Sequence, residues 1–235
     1  MSVLAVYFEQ KGISTVVVGS IRLHLEKVKP PRALWVPFEL GRPLGGWIEG
    51  DDTEDANGGF QLKVLSKALS LLESPVATPV LEDFDLEDPS KGIDQGWQAP
   101  SMSACKSVSD EVRYLYSDWQ EWQQKRGTQT GLGGMEIQDA VDYVERFGSS
   151  NPASNPGDDM SDTLRYRFCV DDIKAFYLEA AMNRGFPDSQ QLGRWLWNEC
   201  RVGALLKQHR AEKSNNEDDS LKLVYDKFLV PGAWQ

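Results

Sequence analysis

The sequence predicts an N-terminal open α/β unit, of the flavodoxin or Rossmann kind, followed by a helical half. Residues 15–18 (TVVV) form a β-branched run between Gly12 and Gly19, which is typical of a strand buried on both faces. A second apolar run, residues 32–38, follows the Pro30-Pro31 break. With a helix predicted over residues 3–11, the order is helix, strand, crossover, strand, and the crossover is expected to be right-handed.

Beyond residue 108 the apolar side chains recur every three or four positions, which indicates helices. The sequence therefore predicts an α/β domain over residues 1–82, a linker over 83–108 that is rich in Pro and Gly, and a helical domain over 109–235. Predicted helices of that domain cover residues 109–125, with Ser109 as N-cap, and residues 135–147, 163–184, 190–209 and 221–229.

One further helix is predicted inside the first domain, over residues 60–73 (FQLKVLSKALSLLE). Its leucines fall at helical spacing, and we expect them to face the sheet, with Val64 and Ala68 alongside. The leucines concerned are Leu62, Leu65, Leu69 and Leu72.

Composition excludes several classes of protein. The 235 residues carry a formal net charge of −11, which argues against nucleic acid or an anionic membrane as the main partner. There is no apolar run long enough to span a bilayer and no N-terminal signal pattern, so a soluble cytoplasmic protein is expected. Three scattered cysteines fit a reducing compartment, and with two histidines they make a zinc site improbable. No cofactor is predicted, because nucleotide-binding motifs such as GxGxxG are absent.

Some weaker patterns invite a chemical interpretation, and each has a simpler structural one. The acidic stretch 51–59 lacks the glycine and closing glutamate of a calcium loop, and so a solvated loop is favoured. The glycine-rich segment 41–46 contains Pro43, which removes an amide donor from a phosphate cradle. His24 is expected at the surface. Cys105 lies beside Lys106, whose charge could lower the pKa of the thiol and make it reactive.

The strand ends provide the main candidate site. In open α/β sheets ligands bind beyond the carboxyl ends of the strands, and four polar residues follow those ends here. Two arginines at this position could bind a small carboxylate, whereas the simpler alternative is a set of solvated loop charges. The predicted substrate-binding residues are Ser20, Arg22, Glu39 and Arg42, and no residue is assigned a catalytic or metal-binding role.

The stretch KGISTVVVGSIRLHLEKVKPPRALWVPFELGRPLG, with QLKVLSKALSLLE behind it, resembles a known family. It is similar to the C-terminal part of the selenoprotein B-type subunit of glycine, sarcosine and betaine reductase, and to D-proline reductase relatives. The likeness covers residues 4–79 and rests on short motifs: Gly12-Ile13-Ser14-Thr15, the second strand, and the Leu40-Gly41-Arg42-Pro43 loop. The helical half has no counterpart that we can assign.

This chain departs from the family at the catalytic group. The resemblance implies a selenocysteine or cysteine just before the first helix, and no such residue stands there in this sequence. Three explanations stay open: the nucleophile belongs to a partner chain, the chemistry was lost, or the gene start was assigned after an upstream selenocysteine codon.

The resemblance implies an oxidoreductase subunit. The assembly would be reductase-like or would cleave C–N or C–S bonds of a small amino-acid-like or betaine-like substrate, with the thiol or selenol on a partner that carries a CxxC or Sec-xx-Cys motif. The alternatives are a non-catalytic structural or regulatory protein that uses its Trp-rich helices as an interface, and a stand-alone enzyme that uses Cys105.

Overall fold

The computed structural model describes residues 2–38, 42–46, 59–73, 79–88, 96–157, 159–213 and 217–235. The chain divides into two compact units, residues 1–95 and residues 96–235. The first contains a three-stranded parallel sheet with helices, and the described part of the second contains helices without strands. The predicted fold class, an open α/β unit followed by a helical half, is confirmed.

The first unit is a short parallel sheet in which strands and helices alternate. Its strands pair in the order β1-β2-β3, with Val17 beside Ala33 and Arg32 beside Val80. The described elements are α1 (Ser2–Gln10), β1 (Val17–Gly19), α2 (Arg22–Val28), β2 (Arg32–Trp35), α3 (Gly59–Ser70) and β3 (Val80–Asp83), and a 3₁₀ turn (Leu71–Glu73) extends α3. Helix α2 ends at Lys29, whose left-handed backbone (φ 50°) precedes the Pro30-Pro31 break.

The two connecting helices lie on opposite faces of this sheet. On one face, Leu25 of α2 packs close to Gly19, and Arg22 pairs with Asp83. On the other, Val64 of α3 packs with Leu34.

Helix α3 turns a different side to the sheet from the one expected. Its buried residues are Phe60, Val64 and Ala68, and Leu71 of the following turn continues the same stripe. The leucines predicted to face the sheet are exposed instead, at 61%, 40% and 57% for Leu62, Leu65 and Leu69. Because α3 is apolar on both sides, helical spacing alone could not decide which side packs. The side that packs carries the smaller Val64 and Ala68, and Lys67 of α3 pairs with Glu82 of β3.

The second unit is a bundle around one long central helix. Its helices are α4 (Val108–Arg126), α5 (Ile137–Arg146), α6 (Asp162–Met182), α7 (Ser189–Arg194), α8 (Arg201–Lys213) and α9 (Asp219–Lys227). Ser107 caps α4 in a capping box with Asp110, so the predicted N-cap Ser109 lies inside the helix. The ends of the predicted linker pack in the two cores: Phe84 in the first, and Met102 and Cys105 in the second.

The helix predicted over residues 190–209 is two helices with a break. A π-helical turn (Trp195–Glu199) follows α7, and Cys200 is extended (φ −88°, ψ 143°) before α8 begins. The buried carboxylate of Glu111 accepts the N–H groups of Arg201 (2.7 Å) and Val202 (3.3 Å) and the hydroxyl of Tyr177 (2.8 Å). A negative charge from α4 thus satisfies the free N-terminus of α8.

Candidate functional site

The structure places Ser20 and Arg22 at the carboxyl end of β1, as the sequence predicts. The Ser20 carbonyl oxygen accepts a hydrogen bond from Nε1 of Trp35 at 3.2 Å. Arg22 opens α2 beside the end of β3. However, the order β1-β2-β3 never reverses direction, and a ligand crevice in an open sheet forms where the order does reverse. The candidate residues therefore lie at strand ends, as predicted, but the described strands form no ligand crevice at that position.

Arg22 is engaged by carboxylates of its own chain. Its Nη2 donates to both oxygens of Asp83, at 3.0 and 3.1 Å, and its Nη1 pairs with Glu26. The hydrogen bonds that Arg22 donates to Asp83 raise the pKa of Arg22, and the guanidinium lies 5.7 Å from the centre of the Trp35 ring. A substrate carboxylate would have to compete with Asp83, and so the observed role of Arg22 is to tie α2 to β3.

The two remaining candidates follow β2. Glu39 lies outside the described residues. Arg42 is half-buried in a turn, where its carbonyl oxygen accepts the N–H of Gly45 at 3.0 Å. Gly46 donates its N–H to the Asp88 carboxylate at 2.7 Å. A carboxylate at this amide disfavours a phosphate, so the described part of the 41–46 segment gives the phosphate-cradle interpretation no support.

The three cysteines are buried free thiols. Burial raises the pKa of Cys105, and Glu111 and Asp110 raise it further. Burial also raises the pKa of Cys169 to about 12 and raises that of Cys200. A reactive thiol needs a lowered pKa and access to solvent. The structure gives no support to the interpretation in which Lys106 activates Cys105, because burial and two carboxylates raise the pKa of the thiol and the cation that lowers it is Arg201.

The two histidines differ in burial. His24 is exposed, as expected. His209 is buried, its Nδ1 lies 2.8 Å from the hydroxyl of Tyr166, and burial lowers its pKa to about 4. Among the described residues, no group of three or more His, Cys, Asp or Glu is arranged to hold a metal ion. No described helix is long and apolar enough to cross a bilayer.

The most unusual feature of the first unit is its apolar surface. Eleven of the fifteen large hydrophobic side chains that are exposed in the described structure lie in residues 1–95. Soluble monomers seldom expose apolar side chains in groups, and such groups mark interaction sites. We define the apolar surface as the exposed side chains of the three helices, which are distributed over both faces of the sheet and do not form one patch: Val3, Leu4, Tyr7 and Phe8 of α1, Leu23 of α2, and Leu62, Leu65 and Leu69 of α3.

The Trp-rich helices of the second unit do not provide a comparable surface. Trp119, Trp195 and Trp197 are at most 8% exposed and lie in the core. Trp195 donates its Nε1 to the carbonyl oxygen of Pro100 at 2.8 Å. Large buried indoles of this kind stabilise the bundle itself, and the side chains available for an interface lie in the first unit instead.

The second unit contains a polar ladder that sequence reasoning missed. Arg165, Asp172 and Glu179 lie seven residues apart on one buried face of α6 and hold the segment between α4 and α5. Glu179 accepts the N–H of Gln129 (2.7 Å), Asp172 accepts those of Leu132 (2.9 Å) and Gly133 (2.8 Å), and Arg165 donates to the Gly133 carbonyl (2.8 Å). The seven-residue spacing is visible in the sequence, but Arg167 and Lys174 of the same helix share it, so spacing alone does not single out the ladder.

This ladder shapes an open cavity of about 790 Å³. One wall is the segment that the ladder holds, and the other includes Pro152 and Pro156. Arg165 also donates to Asn155 at 2.9 Å, so it holds both walls. Two carboxylates and one arginine of α5, with Glu136 just before the helix, line the rim, and Arg146 pairs with Asp142 at 3.0 Å. The cavity is acidic and solvated, and its lining side chains are Glu136, Asp139, Asp142, Tyr143 and Arg146.

Comparison of the chain with protein-family models, with curated proteins and with solved structures finds no match. The resemblance to the reductase B-type subunit therefore rests on the motifs of residues 4–79 alone.

Proposed function

We propose that this chain is a subunit of a larger protein assembly and that its first unit docks on a partner chain. The observation that carries the proposal is the apolar surface, which concentrates exposed hydrophobic side chains on α1, α2 and α3. Parallel sheets are normally covered on both faces. A three-stranded sheet with one connecting helix on each face leaves apolar area for another chain to cover.

In this proposal the assembly is a reductase-like enzyme, or one that cleaves C–N or C–S bonds, and the partner carries the reactive thiol or selenol in a CxxC or Sec-xx-Cys motif. The motifs of residues 4–79 support this class of reaction. The raised pKa values of Cys105 and Cys169 support a nucleophile from elsewhere. The unpaired state of all three cysteines fits a reducing compartment such as the cytoplasm.

The proposed substrate is a small carboxylate of amino-acid-like or betaine-like chemistry. Ser20, Glu39 and Arg42 are its proposed contacts, together with Arg22 if the substrate displaces Asp83. Guanidinium groups bind carboxylates through paired hydrogen bonds. Loss of growth on the substrate in both Arg22→Ala and Arg42→Ala strains would support these contacts, and normal growth of both strains would contradict them.

The docking proposal is tested with a tagged chain expressed in the native host. Wild type and Leu4→Glu, which places a charge on the exposed stripe of α1, are purified in parallel and cross-linked before mass spectrometry. The matched control is Leu223→Glu, an equally exposed leucine of α9 (53% against 49%). We expect a stoichiometric partner with wild type and with the control, cross-linked to α1, and its loss with Leu4→Glu.

The redox role of the partner is tested in the same preparation. After reduction, iodoacetamide at about pH 6 labels only thiols or selenols of low pKa. Labelling of the partner and not of this chain is the expected result. Recovery of the chain without a partner contradicts docking, whereas recovery of an unlabelled partner contradicts the reductase class and leaves docking in place.

A further inference from the structure

A second cavity of the helical unit shares no lining residue with the acidic one. It has a volume of about 220 Å³ and lies between the end of α4, the segment that follows α4, and one side of α6. Its walls are mainly apolar and come from Trp122 of α4 and from Ala175, Leu178 and Met182 of α6. The three α6 residues are three and four positions apart, so they share one side of that helix. Concave, mainly apolar walls with a few polar groups are typical of small-molecule sites.

An exposed arginine, Arg126 at the C-terminal end of α4, also lines this cavity. Its guanidinium lies 5.0 Å from the ring centre of Trp122 and 5.4 Å from that of Phe186. These cation–π contacts hold the guanidinium in place, yet it forms no hydrogen bond or ion pair with any residue in the described part of the chain. Its N–H donors are therefore available, and a guanidinium binds a carboxylate through two parallel hydrogen bonds.

The buried part of the lining carries the opposite charge. Glu179 of the polar ladder is 5% exposed and lines the same cavity. Its carboxylate accepts three hydrogen bonds, from Nε1 of Trp119 (3.1 Å), Oγ1 of Thr128 (2.7 Å) and the N–H of Gln129 (2.7 Å). This carboxylate would repel an anionic group placed deep in the cavity. The acidic group of a ligand is therefore favoured at the exposed Arg126, with the apolar body of the ligand against the apolar walls.

We propose that this cavity binds a small organic carboxylate with an aromatic or branched aliphatic body, and that Arg126 binds its carboxylate group. A cavity of about 150 Å³ can hold benzene, so 220 Å³ has room for a ring or branched chain with a short acidic arm. The nearby Glu179 favours a monoanion over a dianionic phosphate, since repulsion grows with charge. This site goes beyond the proposed function, because it lies in the second unit and uses none of the substrate contacts proposed there.

The test is titration of the ¹⁵N-labelled full-length chain with phenylacetate, followed by two-dimensional NMR. We expect saturable shifts of the Trp122 indole N–H, which is assigned with Trp122→Phe. A ligand of this size binds with a dissociation constant of about 0.1 to 1 mM. Phenylacetamide has the same body without the charge, and it should bind at least about fivefold more weakly because it cannot pair with the guanidinium.

Two variants separate the charge from the cavity. Arg126→Gln should weaken phenylacetate binding at least about tenfold, through loss of the paired hydrogen bonds. Ala175→Phe fills the cavity without a change of charge and should abolish binding. The matched control is Arg113→Gln, an arginine of the same helix whose side chain is 71% exposed, and it should bind as wild type does. Circular dichroism confirms that each variant is folded.

Three results overturn the proposal. The first is the absence of saturable shifts with both phenylacetate and the branched 4-methylpentanoate. The second is binding that Arg126→Gln leaves unchanged, and the third is phenyl phosphate binding more tightly than phenylacetate, which contradicts the carboxylate class. Failure of the proposed function is seen separately, in the Leu4→Glu preparation, since all the variants of this test lie in the second unit.

Discussion

The two units of this chain distribute apolar and charged side chains in opposite ways. In the second unit the large apolar residues are inside, and charged groups such as Glu111, Arg165 and Asp172 are buried with partners. In the first unit the core that the structure describes is eight buried residues, against thirty in the second, and three helices expose apolar side chains. Of the large apolar side chains that are exposed in the described residues, four lie in the second unit and eleven in the first.

The comparison also shows where buried charge is useful. The buried charges of the second unit bind the first N–H groups of a helix or hold a loop. Glu111 binds the start of α8, Asp172 holds the segment between α4 and α5, and Arg165 holds the loop around Asn155. A satisfied polar network specifies one arrangement, because every alternative leaves a buried group unpaired. In the first unit the ion pairs of Arg22 and Lys67 are exposed and contribute less. The exception there is Arg32, which is buried and pairs with Glu9 at 2.6 Å.

The largest effect is expected at Glu111. Glu111→Ala leaves two N–H groups of α8 and the Tyr177 hydroxyl without an acceptor, and it should lower the free energy of unfolding by about 3–5 kcal/mol. Urea unfolding followed by Trp fluorescence measures the change. The control is Glu121→Ala on the exposed side of the same helix, which should cost under about 1 kcal/mol. Equal losses in the two variants would show that the buried carboxylate does not stabilise α8.

The second effect concerns pH. Because the pKa of His209 is lowered to about 4 in the folded chain, protons bind the unfolded chain first as the pH falls from the ordinary value of 6.5. Stability is therefore full above pH 6.5 and decreases between pH 6.5 and 4, by up to about 3 kcal/mol.

The chain has two histidines, so His24 supplies the control. His209→Gln should flatten this part of the curve of unfolding free energy against pH, whereas His24→Gln should leave it as in wild type. An unchanged slope in His209→Gln would assign the acid sensitivity to other groups.

A smaller effect separates the two sides of α3. Val64 is fully buried and Leu65, the next residue, is 40% exposed. Val64→Ala should lower the free energy of unfolding by about 2 kcal/mol through lost burial and a cavity. Leu65→Ala should change it by under about 0.5 kcal/mol. A larger loss for Leu65→Ala would mean that this leucine packs within its own chain.

The smallest effect is expected at Arg22. Its ion pairs with Asp83 and Glu26 are exposed, so Arg22→Ala should lower the free energy of unfolding by less than about 1 kcal/mol, and 0.5 M NaCl should reduce the difference. Thermal unfolding of both proteins in low and high salt measures this. A loss above 2 kcal/mol would show that the connection between α2 and β3 depends on this pair, and the contrast with the buried charges of the second unit would then fail.

The sequence predicted the elements better than their orientation. The runs 15–18 and 32–38 were predicted as strands, and parallel strands lie there over Val17–Gly19 and Arg32–Trp35. Most helices were placed within a few residues, because apolar spacing is a local signal. The segment that forms α2 was predicted only as a crossover, and the break at Cys200 was not foreseen. The break depends on Glu111, which is 89 residues earlier in the chain, and no local pattern contains that contact.

The candidate site shows the same division. The polar residues that follow the strands could be identified from the sequence, but their hydrogen-bond partners could not. Asp83, which accepts from Arg22, lies 61 residues away. Cys105 was judged by its neighbour Lys106, whereas its pKa is set by burial and by Glu111.

By itself, the sequence determined the fold class, the positions of most elements and the acidic character of the chain, because these follow from residues close together along the backbone. Only the tertiary structure decided which side of a two-sided helix is buried, which charges are paired and which thiols are accessible. These properties depend on contacts between distant residues, where packing and desolvation outweigh local preference. Helix α3 illustrates the difference. The helical spacing of Leu62, Leu65 and Leu69 was evident from the sequence, but the sequence did not show that these leucines are exposed.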